Sequence, residues 1–273
     1  MTTDRYFLYL DILGFTDLVK KGDGRRIHDL YEVIASLNAN DHEAFKVVVF
    51  SDTVLVYNVD GGDTPQDASY LVMFMAEFIK DLMHRLTGRE IYFRAVITYG
   101  DFTHYELNGI PCFFGNALVD AYYSEKDIKA IGLFIDKKIS QYCNIFKLRE
   151  FNEKYDFIYV TQSLEEVEEW GGGTEPIPPW LIEDTDARWE IFPELWHLRC
   201  LYENSVDATL PQSVRDKYQR SWDMYCQHYP KTTSTLLANG LDVRALCPGV
   251  DWEDVIERHP EDFSDAIESR RDF

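Results

Sequence analysis

The feature that most constrains this chain is the run Tyr6-Phe7-Leu8-Tyr9-Leu10-Asp11-Ile12-Leu13-Gly14-Phe15-Thr16. It begins as an almost continuous apolar segment, the pattern of a strand covered on both faces. Asp11 interrupts the run, and a lone carboxylate is expensive to bury unless something pairs with it. Gly14 then lets backbone amides approach a ligand closely. A carboxylate, a glycine and a helix start in succession put an anionic metal ligand beside unpaired N–H groups, which is what a metal–triphosphate site needs. The plainer alternative is an aspartate at a strand end, hydrogen-bonded to a turn.

The rest of the chain supplies a sheet and its helices. Residues 6–13 read as a strand. Ile27, Leu30, Tyr31, Ile34 and Leu37 recur at helical spacing within 25–37. Residues 45–57 read as two strands around a tight turn at Ser51-Asp52. The cluster Gly61-Gly62-Asp63-Thr64-Pro65 leads into a helix from Ala68 to Leu86, with Gly88 as its stop. Residues 91–99 are a predicted strand, ended by Gly100-Asp101. A loop containing Asn108-Gly109 and Pro111 follows. Gly115-Asn116 caps a helix over 117–126. Then come a strand over 131–135, a helix over 137–146 and a strand over 157–160. The order β-α-β-β-α-β-α-β-α-β predicts an α+β sandwich of the ferredoxin-like βαββαβ type.

Residues 1–163 are assigned to this domain and residues 164–273 to a mixed, mainly helical extension. The extension opens with an acidic stretch at 164–169 and the Gly- and Pro-rich segment 171–179. Trp180, Trp189 and Trp196 fall in a stretch without clear period. Charged helical segments are expected over 212–229 and 250–271.

Composition narrows the partners. A formal charge of −21 argues against a general nucleic-acid surface and against anionic membranes. A triphosphate would approach against that field, so a local cationic site with metal ions is required. No run of 18 apolar residues occurs, so no membrane span is expected. The first residues lack a signal-peptide pattern. Cys112, Cys143, Cys200, Cys226 and Cys247 are widely spaced and include no Cys-x-x-Cys, which argues for a reducing cytoplasm and against structural zinc.

Two further residues join Asp11. Asp52 sits at the tip of an apolar hairpin, an ordinary place for a turn residue. In a βαββ unit, however, the end of the first strand and the next hairpin can lie side by side. Two carboxylates there could share two metal ions and clamp a triphosphate. Arg94 lies within the apolar strand Ile91-Tyr92-Phe93-Arg94-Ala95-Val96-Ile97, where an unpaired cation is costly. Its planar fork suits phosphate oxygens, or else a structural ion pair with one of the two acids.

These motifs, taken in order, carry a resemblance. Leu10-Asp11-Ile12-Leu13-Gly14-Phe15-Thr16, Phe50-Ser51-Asp52, Phe93-Arg94-Ala95-Val96-Ile97 with Gly100, and Phe114-Gly115-Asn116-Ala117-Leu118 resemble the successive motifs of class III nucleotidyl cyclases. The resemblance covers roughly residues 6–160. It implies that Asp11 and Asp52 bind two divalent ions, Mg²⁺ or Mn²⁺, with the carbonyl of Ile12 as a further ligand. It makes the amides around Gly14, Phe15 and Thr16 a phosphate cradle and Arg94 a phosphate contact. It also implies a homodimer with active sites at the interface.

The departures from the family are as informative. Purine cyclases place a base-reading lysine where this chain has Val48; Lys46 lies two residues back on the same side of the strand. Their second base-reading residue is replaced by Cys112. The transition-state Asn and Arg become Val119 and Tyr123. Retained metal groups with a rewritten base pocket resemble the bacterial pyrimidine cyclases of Pycsar anti-phage defence, whose cyclic UMP or cyclic CMP is sensed by an effector. That resemblance implies UTP or CTP as substrate, UTP favoured, with Tyr122 or Tyr123 bonding the reacting phosphate or packing on the base. A catalytically silent nucleotide- or protein-binding domain, and a purine cyclase with an unusual pocket, are the alternatives.

Overall fold

The computed structural model describes residues 3–37, 42–170, 178–183 and 187–257. They group into two compact units, Met1–Leu82 with Ile91–Val160, and Met83–Glu90 with Thr161–Phe273.

The first unit is a sheet with helices. Its strands are β1 (Thr3–Leu13), β2 (Phe45–Phe50), β3 (Thr53–Asn58), β4 (Tyr92–Leu107), β5 (Ile110–Phe114), β6 (Gly132–Asp136), β7 (Lys147–Glu150) and β8 (Tyr155–Tyr159). Its helices are α1 (Phe15–Lys21), α2 (Gly24–Ala35), α3 (Pro65–Arg85, whose last turn belongs to the second unit) and α4 (Asn116–Asp127). The sheet order is β2-β3-β1-β4-β6-β8-β7, with β5 paired to β4. β1 is antiparallel to both β3 and β4, and β2 is antiparallel to β3. The order β4-β1-β3-β2 is that of a ferredoxin-like βαββαβ unit. β6 extends it in parallel from β4, and β8 and β7 close that side antiparallel.

β1 sits between two strands and under cover on both faces, as its apolar run requires: Phe7, Leu8 and Leu10 are fully buried. Gly14 and Gly22 bracket α1 in the left-handed region, which separates it from α2. The Asp23 carboxylate then accepts from the Arg26 amide at 3.3 Å and starts α2. The sequence marked a helix start after Gly14 but gave α1 no extent.

Three expectations are corrected. β4 does not end at Gly100-Asp101, because Arg5, Asp4 and Thr3 pair with Gly100, Asp101 and Phe102 and carry the ladder onward. The expected loop after it is a β-hairpin: Leu107 pairs with Ile110 around Asn108 and Gly109, both at positive φ (53° and 80°). That is the backbone an Asn-Gly hairpin turn adopts. Residues 137–146 are not a helix. The Asp136 carboxylate takes the Lys138 amide at 2.9 Å, a 3₁₀ turn follows at Ser140–Tyr142, and the chain enters β7, which pairs with β8. A short side chain bonding nearby backbone offers an alternative to helix.

The second unit is helical among its described residues: α5 (Gln162–Trp170), α6 (Pro179–Glu183), α7 (Ala187–Val206), α8 (Gln212–His228), α9 (Pro230–Ala238) and α10 (Trp252–Glu257). Most of the aperiodic tryptophan stretch is α7. Residues 191–196 are buried in unbroken succession on it, and a helix covered on most of its circumference has no single apolar stripe. Of the expected helix over 250–271, residues 252–257 form α10, and residues 258–273, like 171–177, lie outside the described residues. Among the described residues no helix is long and apolar enough to cross a membrane, and the five cysteines are free.

Candidate active site

The sheet register assembles the site within the first unit. Asp11 stands opposite Thr53 on β3 and opposite Arg94 on β4. The Ile12 amide donates to the Asp52 carbonyl at 2.8 Å, which fixes the hairpin tip to the end of β1. Ser51 turns the hairpin at φ 55°. Tyr31 of α2 donates its hydroxyl to the Ser51 carbonyl at 2.9 Å. Burial, and then the neighbouring Asp52 charge, push that hydroxyl's pKa up. Asp11 and Asp52, far apart in sequence, are thus held at one end of the sheet.

Arg94 is placed beneath them. Its side chain is 4% exposed and that of Asp11 20%. Nη2 donates to Asp11 Oδ2 at 2.7 Å, and Nη1 donates to the Ile128 carbonyl at 2.9 Å. A guanidinium removed from water needs such partners. Of the two arrangements open to Arg94 from sequence, this geometry is the ion pair.

The turn after β1 is exposed at Gly14, which adopts φ 76° as the N-cap residue of α1. Its carbonyl accepts from the Asp17 and Leu18 amides at 3.0 and 3.2 Å. The amides of Phe15 and Thr16 lie in the first turn, where no intrahelical acceptor exists. Phe15 is buried, with its ring 6.4 Å from that of Tyr31, and Thr16 is exposed.

α4 runs along β4. Its start packs on Gly100, where a Cβ would stand 3.6 Å from the Ala117 amide. Just beyond its end, Ile128 meets Arg94. Gly115 makes the approach possible, because a Cβ there would collide with the Asp101 carbonyl and the Phe102 backbone. Ala117, Ala121 and Ser124 are buried, whereas Val119, Tyr122 and Tyr123 are exposed. The Tyr122 and Tyr123 rings meet edge-on at 5.6 Å, and Lys126 Nζ lies 4.7 Å from the Tyr123 ring centre.

The two residues in base-reading positions part company. Val48 pairs with Leu55, which pairs with Tyr9, so Val48 shares the Asp11 face. Lys46 shares it too, opposite Tyr57. Cys112 pairs with Tyr105, and His104 pairs with Phe113, so Cys112 and His104 emerge on opposite sides of the β4–β5 hairpin. Sequence reasoning did not single out Tyr31, which it took as one of several apolar helix positions, or His104, which it left in a loop.

The donor set suits a hard cation. Asp11, Asp52 and the Ile12 carbonyl offer oxygen only, and Mg²⁺ is commonly held by one or two carboxylates plus substrate phosphates. Among the described residues no group of three or more His, Cys, Asp or Glu side chains gathers as a metal cage.

No family model matches the chain, and no curated protein matches it. Solved structures similar to it include the adenylyl cyclase CyaB from P. aeruginosa, 12% identical over 58% of this chain and 95% of that chain, with TM-score 0.44. Another is the monomeric guanylyl cyclase domain of the RhoGC fusion protein from the aquatic fungus Blastocladiella emersonii, 16% identical over 57% of this chain and 96% of that chain, with TM-score 0.44. A third is the guanylate cyclase domain of RhGC from Catenaria anguillulae in complex with GTP, 18% identical over 57% and 96%, with TM-score 0.40.

Proposed function

We propose that the chain is a nucleotidyl cyclase that converts a pyrimidine nucleoside triphosphate, UTP or CTP, into its 3′,5′-cyclic monophosphate and pyrophosphate. The observation that carries this reading is the convergence of Asp11 and Asp52 at one sheet end, tied by the Ile12–Asp52 backbone bond, beside the exposed Gly14 turn. Asp11, Asp52 and the Ile12 carbonyl would hold two divalent ions, Mg²⁺ or Mn²⁺, which supply charge neutralisation and lower the pKa of the ribose 3′-OH. The Phe15 and Thr16 amides receive phosphate oxygens. Arg94 orients Asp11 and adds fixed positive charge behind it. The 3′ oxygen loses its proton and bonds to the α-phosphorus; the bond from that phosphorus to the bridging oxygen breaks, and pyrophosphate leaves.

A homodimer belongs to this reading. Leu107, Ile110 and Phe114 on the β4–β5 hairpin and Tyr122 and Tyr123 on α4 are all more than half exposed, a concentration of apolar surface that marks an interaction site. Tyr122 and Tyr123 would meet the reacting phosphate or the base from that surface. The cyclic product would act through a downstream effector.

A second reading has one observation in its favour. Val119 and Tyr123, exposed on α4, stand where class III cyclases carry their transition-state Asn and Arg. A domain that binds nucleotide without turning it over fits that replacement. Incubating the purified protein with each of the four NTPs and Mn²⁺, and resolving products by chromatography, tests both. Cyclic UMP or cyclic CMP is expected. Cyclic AMP or cyclic GMP as main product removes the pyrimidine reading, and no cyclic product removes the cyclase.

A further inference from the structure

The hairpin tip that carries Asp52 is built on an unfavourable residue. β2 and β3 close with the pair Phe50–Thr53, which leaves Ser51 and Asp52 as a two-residue loop. Ser51 stands at φ 55°, and Asp52 does not share that positive φ. Positive φ at the first loop residue alone is the sign pattern of a type II′ turn, whose first central residue is ordinarily glycine. A side chain at positive φ is strained, and it persists only where the surroundings hold it. Ser51 is exposed, so burial does not do the holding.

Two hydrogen bonds from outside the hairpin do. The Ile12 amide donates to the Asp52 carbonyl at 2.8 Å, a backbone bond independent of side chains. The Tyr31 hydroxyl donates to the Ser51 carbonyl at 2.9 Å, and this bond depends on one phenol. Tyr31 is well placed to give it. Its neighbours Leu30, Val33 and Ile34 are buried on α2, the Asp23 carboxylate caps that helix, and the Phe15 ring lies beside its own.

The consequence falls on Asp52. The Ser51 carbonyl belongs to the peptide unit that leads into Asp52, and the Asp52 carbonyl to the unit that leads out of it. Peptide units are planar, so pinning one oxygen on each side fixes both backbone dihedrals of Asp52. Asp11 is held differently, by the Arg94 guanidinium on its carboxylate. The Asp52 carboxylate has no hydrogen bond or ion pair among the described residues, so its backbone is what aims it.

We propose that Tyr31 is the positioning residue of Asp52: its hydroxyl, through the Ser51 carbonyl, sets the aim of the carboxylate that joins Asp11 in holding the divalent ions. The proposal rests on the metal-site reading above. Tyr31 acts through the backbone and not on the ions.

The test separates aim from fold. Mn²⁺ binding is followed by the electron paramagnetic resonance of the free ion, with Asp52→Ala defining the background of this acidic chain. Tyr31→Phe keeps the ring beside Phe15 and deletes the hydroxyl. It should weaken Mn²⁺ binding by about three- to tenfold, with little change in the urea midpoint. Glycine takes positive φ without help, so Ser51→Gly in the Tyr31→Phe background should restore most of the affinity. Lost packing of α2 could not be repaired that way. In the metal-free protein, Tyr31→Phe should quicken hydrogen exchange at the Ile12 amide and leave amides in the middle of β1 unchanged. Wild-type Mn²⁺ affinity in Tyr31→Phe, or a loss that Ser51→Gly does not repair, overturns the proposal; a cyclic product from the wild-type protein would then leave the cyclase reading intact. A wild-type protein that binds no Mn²⁺ above the Asp52→Ala background overturns the metal site and the proposal together. Loss in Tyr31→Phe and rescue by Ser51→Gly, in a protein that cyclises none of the four NTPs, would sink the cyclase reading and leave the role of Tyr31 standing.

Discussion

The two units differ in the polar side chains that mark each of them. In the second unit they are sealed inside and answered by protein. Glu194 of α7 is fully buried and accepts from the Ser163 and Leu164 amides at 3.1 and 2.8 Å, capping α5 from another helix. Tyr229 bonds Thr161 and Glu165, and Glu168 takes both the amide and the hydroxyl of Thr232. In the first unit, Asp11 is part-buried, Lys46 and Thr16 are exposed, and His104 is half-buried, all on elements that are otherwise apolar. Buried polar groups answered internally hold a fold together. Polar groups kept at the rim of an apolar sheet are available to a ligand. Arg94 belongs with the internally answered groups of the first unit, as does Asn58, which bonds the Tyr6 amide and the Gly61 carbonyl, and it supports a rim residue.

Breaking that support should give the largest effect. Arg94→Ala leaves Asp11 without its guanidinium, and Asp11→Ala strips a nearly buried cation of its carboxylate. Each should cost about 3–5 kcal/mol in urea unfolding and abolish turnover. Asp52→Ala should abolish turnover with a stability change of about 0.5 kcal/mol or less. If Asp52→Ala unfolds the protein as readily as Arg94→Ala, the division between rim and interior is wrong at this site.

Glu194→Ala tests the interior from the other side. Two helix-start amides lose their acceptor in a buried place, so stability should fall by about 2–4 kcal/mol. Turnover per folded molecule should not change. A lowered kcat in protein shown to be fully folded by circular dichroism would tie α7 to the chemistry.

An effect of similar size is expected from acid. Burial holds His197, packed on the Tyr225 ring, down to about 4. The folded state therefore keeps it neutral while the unfolded chain takes up a proton below about pH 6.5. Its contribution is present above that pH and is lost as pH falls from 6.5 to 4, by about 3 kcal/mol in all. His104, also lowered, adds in the same direction. Unfolding curves of His197→Phe should show a shallower decline over that window; an unchanged slope removes His197 as the cause.

The smallest effect is at the surface. Lys137 Nζ donates to Glu150 Oε1 at 2.6 Å and, by that bond and its charge, holds the carboxyl below the usual range. Lys137→Ala should let the Glu150 titration, followed by NMR, rise toward an ordinary glutamate while the melting midpoint stays put. A clear drop in the midpoint would give this exposed pair a structural weight that neither unit's pattern assigns it.

What the sequence disclosed follows physical lines. β1 was legible because a two-sided apolar run admits few alternatives, and Asp11 and Gly14 were conspicuous within it. Asp52 was legible as a hairpin tip. The extension of β4 was hidden because Gly100-Asp101 is a local breaker, whereas the pairing that overrides it comes from Thr3, Asp4 and Arg5. His104 was lost with it. The helix over 137–146 failed because the Asp136 carboxylate takes the Lys138 amide and the chain tightens into a 3₁₀ turn at Ser140–Tyr142 on its way to β7, a local bond that apolar spacing does not register. The Arg94–Asp11 bond was visible only as one of two partnerships, since direct opposition in register is a fact of three dimensions.

The place of β1 in the sheet also governs the order in which the protein can be made. Both of its neighbours come later in the chain, and Asp11 must wait for Arg94, 83 residues downstream. As the polypeptide leaves the ribosome, β1 emerges before every strand that pairs with it and gains its second neighbour only once β4 has been made. Pairings of such long sequence separation close slowly. During synthesis Tyr6 to Leu13 is thus an unpaired sticky strand on a half-made sheet, the state in which chaperones or neighbouring chains meet it.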